Sequence, residues 1–204
     1  MKQLIAITLP TFFPGEAQVI TTLFQNGLER LHLRKPAASA DELRRLLDEI
    51  PGEYHPAIAL HDHFELWKEY PAIGGVHLNS RNTEVPPGFR GRISRSCHTF
   101  EEVVANRHLS YCFLSPIFES ISKEGYGSGF PMERLREAAQ AGIITPKVFA
   151  LGGISLETLP RLSGLPFGGA AVLGALWGKH PENDPDIIKR LNALLLCITH
   201  YYYV

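Results

Sequence analysis

The chain has 204 residues, 45% of them hydrophobic and 20% charged, enough apolar material for one full core. Its 20 basic and 21 acidic side chains leave a formal charge of -1, so no charge excess calls for nucleic acid or an anionic membrane surface. Cys97, Cys112 and Cys197, an odd set without a C-x-x-C spacing, argue against a disulfide framework or a zinc ribbon and fit a reducing, cytoplasmic setting.

The first apolar run, residues 3–9, stops at Pro10 with no small-residue cleavage site after it, and is read as a buried strand, not a signal peptide. Short runs rich in β-branched residues follow at 29–34, 57–61, 74–78, 92–97, 111–116, 147–152 and 169–174. Segments of helical period lie between them, the pattern of β/α units around a parallel sheet. Ser39-Ala40-Asp41-Glu42 is a capping box that opens a helix with Leu43, Leu46, Leu47 and Ile50 on one stripe. Arg81–Gly91, with Pro86-Pro87 and two glycines, predicts an irregular connection in place of a helix. Thr99-Phe100-Glu101-Glu102 repeats the capping box, and Pro131 takes the first position of a helix that Gly142 closes. Asp184-Pro185 opens the last helix, with Ile187, Ile188, Leu191, Leu194 and Leu195 turned inward.

Eight such units predict one domain over residues 1–204: an α/β fold, a (β/α)8 TIM barrel with a degenerate fourth helix, against a doubly wound open sheet as the alternative. No apolar stretch reaches the roughly 18 residues of a membrane span. The terminal Tyr201-Tyr202-Tyr203-Val204 is open to three roles: packing on the barrel, covering the interface of a homodimer, or fraying.

In such a barrel the chemistry gathers at the carboxyl ends of the strands, and reactive side chains collect there. His32, Arg34 and Lys35 end the second run; His61, Asp62 and His63 the third; His77, Asn79 and Asn82 follow the fourth; Ser96, Cys97 and His98 end the fifth. Ser115, Glu119, Ser120, Ser122 and Lys123 follow the sixth. Arg34, Lys35 and Lys123 suit an anionic, phosphorylated small molecule. Glycines after the last two runs, among them Gly153, Gly169 and Gly174, let bare backbone approach a phosphate. The G-Y-G-S-G stretch at 125–129 lacks the Lys-Ser/Thr ending of a phosphate loop and is read as a lid. His61 and His63 form a metal pair or, for at least one of them, a structural histidine. Cys97 beside His98 makes a poor nucleophile, because neighbours in a strand point apart.

As a set these motifs resemble the thiamine phosphate synthase family, which also includes the thiazole tautomerases, over nearly the whole barrel. The resemblance rests on His32-Leu33-Arg34-Lys35, His61-Asp62, Gly75-Val76-His77-Leu78, Ser96-Cys97-His98-Thr99, the stretch from Ser115 to Lys123, and Gly152-Gly153-Ile154. It implies a transferase that joins hydroxymethylpyrimidine diphosphate to a thiazole phosphate with release of pyrophosphate, using Mg²⁺. Under it Asp62 and Asn82 hold the metal, and Arg34 and Lys123 neutralise pyrophosphate. Ser96 contacts the leaving group or the pyrimidine, and His32, Lys35, His61, His77 and His98 line the substrate site. Ser120, Ser122, Gly153, Gly169 and Gly174 take the thiazole phosphate. The chain differs from the family pattern at His32 (a Gln), His61 (an Asn), Lys35 (a Lys one residue later) and Asn82 (an Asp). The runner-up is an isomerase acting on thiazole phosphate, with His98, His77 or Glu119 carrying protons. A non-catalytic sensor of thiamine precursors, and a zinc hydrolase built on His61, His63, His77 and His98, complete the alternatives.

Overall fold

The computed structural model describes residues 2–118, 129–178 and 180–200, with His200 in its backbone only. Eight parallel strands follow one another: β1 (Gln3–Ile7), β2 (Arg30–Leu33), β3 (Ile58–Leu60), β4 (Gly75–Leu78), β5 (Arg92–Cys97), β6 (Tyr111–Leu114), β7 (Val148–Leu151) and β8 (Gly169–Val172). Each pairs with the next, and β8 returns to β1 with Ala171 opposite Ile5, so the sheet closes and leaves no edge. Every strand falls inside one of the expected runs. The fold is a TIM barrel, and closure disposes of the open-sheet alternative.

The α-helices are α1 (Glu16–Gln25), α2 (Ala40–Glu49), α3 (Phe100–Ala105), α4 (Met132–Gln140), α5 (Gly174–Trp177) and α6 (Ile187–His200). At α2 the capping box is complete: Ser39 accepts from the Glu42 N–H, and the Glu42 carboxylate accepts from the Ser39 N–H. At α3 it is not. Thr99 accepts from the Glu102 N–H at 3.2 Å, but the Glu102 carboxylate takes the N–H of His98 at 2.6 Å, one residue further back. That bond anchors the backbone of His98 at the rim of the barrel. Pro131 sits at the N-cap of α4, one position before the first helical residue, and Gly142 follows the helix with φ +66°, a conformation that favours glycine.

No helix forms between β4 and β5, as the prolines at 86 and 87 predict. The connections after β3 and β7 are also reduced, to 3-10 turns at Phe64–Lys68 and Leu159–Leu162, which the sequence reading did not anticipate. No helix of the described residues is long and apolar enough to cross a membrane.

Strand alternation divides the barrel into two shells. Leu4, Ala6, Leu31, Leu33, Leu60, Val76, Cys112, Leu114 and Ala150 face outward into the layer beneath the helices. The interior is itself divided. Ile5, Ile7, Tyr111, Phe113, Phe149 and Ala171, from β1 and β6–β8, form an apolar half. The matching positions on β2–β5 carry His32, His61, His77, Ser94 and Ser96, a polar half. Tyr111 stands on the seam, with its ring among the phenylalanines and its hydroxyl turned to His32.

Gly169 is a correction. It opens β8 at the amino end of the barrel, opposite the site, where a Cβ would lie 1.9 Å from the Gln3 carbonyl oxygen. Its role is to let β8 close against β1, not to cradle a phosphate.

Candidate active site

At the carboxyl ends of the strands lies a cavity of about 670 Å³, in the usual range for small-molecule sites. Arg34, His61, His77, Ser96 and His98 line it, which brings five of the expected residues to one place. Arg81 and Arg95 line it too, and the sequence reading named neither. Arg95 alternates outward on β5 with the buried Cys97, a face that a fourth helix would cover. With no helix there, the cavity reaches Arg95 together with Asn79, Ser80 and Asn106. The proline-rich connection and the alternation of β5 together were the available signal for Arg95. Arg81 lies in an aperiodic loop and had none.

Asp62 follows β3 and is buried. Its Oδ1 accepts from Arg81 Nε (3.1 Å) and Nη2 (2.8 Å) and from Asn82 Nδ2 (3.2 Å). Its Oδ2 is buried with no partner among the described residues. Asn82 therefore meets Asp62 as a hydrogen-bond donor, and its amide also donates to the His61 carbonyl oxygen. The expectation that Asn82 is a second metal ligand finds only a nitrogen turned that way. The lone oxygen of Asp62 fits a magnesium ion, which binds through one or two carboxylates and completes its shell with water and substrate phosphate.

The polar half of the interior is a hydrogen-bonded set. His32 Nε2 lies 2.7 Å from the Tyr111 hydroxyl, and His32 Nδ1 lies 2.7 Å from His61 Nε2. His77 lies between two serines, with Nδ1 2.8 Å from Ser94 Oγ and Nε2 2.9 Å from Ser96 Oγ, and its ring stacks on His61 at 4.2 Å. Burial, together with the charges of Arg95 and Arg34, lowers the His77 pKa to about 3. Burial first, then the His77 charge, puts His32 and His61 well below the ordinary range. All three imidazoles are therefore neutral near pH 7.

Two further readings of the cluster meet physical obstacles. Ser96–His77–Ser94 has the contacts of a nucleophile, base and orienter, but a base of pKa about 3 is protonated on the order of once in 10⁴ at pH 7. The ligand atoms of His32, His61 and His77 lie within 4.8 Å of one another, close enough for a metal triad. However, the nitrogens of His32 and His77 are already hydrogen-bonded, and arginines lower all three basicities, so a dication there would face both obstacles. His63 stands apart, its Nε2 2.8 Å from the Ala38 carbonyl oxygen, and is the structural member of the pair.

His77 also makes stability depend on acidity. It is neutral in the fold and titrates near 6.5 once unfolded, so between pH 6.5 and about 3 the unfolded chain binds more protons and stability falls as the pH falls. By pH 5 this group accounts for about 2 kcal/mol. Urea unfolding at pH 7 and pH 5 checks it: His77→Gln, which cannot titrate, should lose about that much less than the parent. An equal loss in both proteins would exclude the effect.

The remaining expected residues are scattered. Lys35 is fully buried against Glu16 and does not reach the cavity. His98 is exposed at the rim, its Nδ1 2.9 Å from the Ser115 carbonyl oxygen. Gly153 and Gly174 lie just past the carboxyl ends of β7 and β8, Gly153 with φ +64° and its carbonyl oxygen accepting from Thr158 at 2.7 Å. Glu119, Ser120, Ser122 and Lys123, nearly all of the expected lid and the Tyr201–Tyr203 run fall outside the described residues.

Comparison with known proteins agrees with this site. A crystal structure of thiamine phosphate pyrophosphorylase from Bacteroides thetaiotaomicron is 42% identical, with 96% of each chain covered and a TM-score of 0.85. The thiamine-phosphate synthase of Latilactobacillus sakei is 29% identical over 147 residues, 68% of this chain and 63% of that protein, so the match spans a little under two thirds of that relative. A thiamine phosphate pyrophosphorylase from Pyrococcus furiosus shares the fold at 19% identity, with 98% and 96% of the chains covered and a TM-score of 0.76. The family profile described as thiamine monophosphate synthase matches residues 4–176, and the chain belongs to that family.

Proposed function

We infer that the chain is a thiamine phosphate synthase-type transferase, which joins hydroxymethylpyrimidine diphosphate to a thiazole phosphate and releases pyrophosphate. The observation that carries this reading is the convergence of Arg34, Arg81 and Arg95 on one cavity whose buried imidazoles are neutral, with the Asp62 carboxylate held on Arg81. Departure of pyrophosphate leaves a cation stabilised by the aminopyrimidine, so the site must hold negative charge on the leaving group and needs no strong base. The arginines supply the positive charge that holds it. An isomerase needs proton carriers that work near neutrality, and His77 is a poor one.

Arg34, Arg81 and Arg95 hold the diphosphate, and His61 and Ser96 meet the pyrimidine. Gly153 and Gly174, with Ser120, Ser122 and Lys123 from the stretch after β6, take the thiazole phosphate. Asp62 would hold magnesium through its free oxygen, and the ion when bound neutralises diphosphate charge. A cytoplasmic setting accompanies this reading.

The test is turnover of the purified chain with both substrates and Mg²⁺, thiamine phosphate being followed by its fluorescent oxidation product. Magnesium-dependent product is the expected result. Binding of thiazole phosphate without product would overturn the proposal in favour of an isomerase or a sensor.

A further inference from the structure

The two hydrogen-bonded strings in the barrel interior each end at the cavity, and their polarity can be followed proton by proton. The Tyr111 phenol is buried, and burial raises its pKa, so it keeps its proton. The Arg30 guanidinium lies over the ring, 4.8 Å from its centroid, and offers no acceptor. The phenol proton is then directed to His32 Nε2, 2.7 Å away. A neutral imidazole carries one N–H, so His32 holds it on Nδ1 and donates to His61 Nε2 at 2.7 Å. His61 in turn carries its proton on Nδ1, which has no hydrogen-bond partner among the described residues and belongs to a ring that lines the cavity.

The second string runs the opposite way. Ser94 donates its proton to the Val76 carbonyl oxygen at 3.4 Å, so it accepts from His77 Nδ1 at 2.8 Å. His77 Nε2 is then bare and accepts the Ser96 hydroxyl proton at 2.9 Å, which leaves lone pairs of Ser96 Oγ for the cavity. The floor of the site thus shows a donor, His61 Nδ1–H, and an acceptor, Ser96 Oγ, on two residues that both line the cavity.

We propose that Tyr111, remote from the cavity, is a positioning residue that fixes the tautomers of His32 and His61, so that the floor selects a heteroaromatic edge pairing a bare ring nitrogen with an exocyclic amino group. The inference deepens the proposed function by naming the edge the site reads. An aminopyrimidine has that edge. The corresponding pyrimidinone reverses it, with a protonated ring nitrogen beside a carbonyl, and would set donor against donor and acceptor against acceptor.

Two measurements test this. Nitrogen-15 NMR of the free full-length protein should show His32 and His61 protonated on Nδ1 and bare on Nε2, and in Tyr111→Phe the His61 signal should shift towards a mixture of tautomers. Calorimetry with hydroxymethylpyrimidine and its pyrimidinone counterpart should show the amino compound binding at least about tenfold more tightly, with Tyr111→Phe reducing that ratio several-fold. His61 protonated on Nε2 in the parent protein, or equal binding of the two compounds, would overturn the proposal. The function is judged separately: thiamine phosphate formation with the wrong tautomer sinks only the relay, and the correct tautomer without product sinks only the synthase.

Discussion

Replacement of Asp62 by alanine is expected to lower kcat/KM by about 10²- to 10³-fold, the usual consequence of losing one preorganised group that stabilises developing charge. Asp62 has two tasks in the structure. Its Oδ1 holds Arg81, a residue of the cavity wall, through Nε and Nη2, and its buried Oδ2 has no partner among the described residues and is open to magnesium. Alanine removes both and frees Arg81 to wander, whereas Asp62→Asn keeps the shape and removes the charge. A magnesium titration separates the two tasks. If the metal role holds, Asp62→Asn will require much more Mg²⁺ for half-maximal rate; if Asp62 only orients Arg81, the magnesium dependence will stay as in the parent. Full activity of Asp62→Ala would sink both.

Lys35→Met is expected to destabilise the protein by about 3–5 kcal/mol, roughly a 10 °C fall in Tm for a chain of this size. Lys35 Nζ contacts both Glu16 carboxylate oxygens, at 2.7 and 2.8 Å, and donates to the Thr11 carbonyl oxygen. Burial pushes the lysine pKa down and the glutamate pKa up, each toward its neutral form, while the two-point contact and the Thr11 bond favour the ion pair. Removal of the lysine leaves Glu16 charged or proton-bound at 3% exposure with nothing opposite it. The double variant Lys35→Met with Glu16→Leu should recover most of the loss, because an apolar pair of similar volume is nearly neutral in such a place. Thermal unfolding of the three proteins checks this. A substrate role for Lys35 would show the reverse, a raised KM with an unchanged Tm.

The fold could be read from the sequence in unusual detail, for reasons local to each segment. Strands such as Val148–Leu151 are short apolar runs, and helix starts such as Ser39 carry their own hydrogen-bonding partner three residues on. Where a device depended on a neighbour outside the pattern, the reading slipped by a residue: the Glu102 carboxylate accepts from the His98 N–H and not from that of Thr99, and Pro131 precedes α4.

The site was read in part. Arg34, His61, His77, Ser96 and His98 follow from their position at strand ends, since any barrel brings those ends together. Linear order alone could not say that Lys35 turns inward to Glu16 or that Arg81 folds back onto Asp62. Nor could it show that Tyr111, 79 residues from His32, completes a string of protons leading to the cavity. Residue type and spacing determined the eight strands, the missing fourth helix and the ring of polar strand ends, because those depend on local periodicity. Charge pairing, protonation and tautomer were decided by the closed barrel alone, because they depend on burial and on partners brought together only when the last strand meets the first.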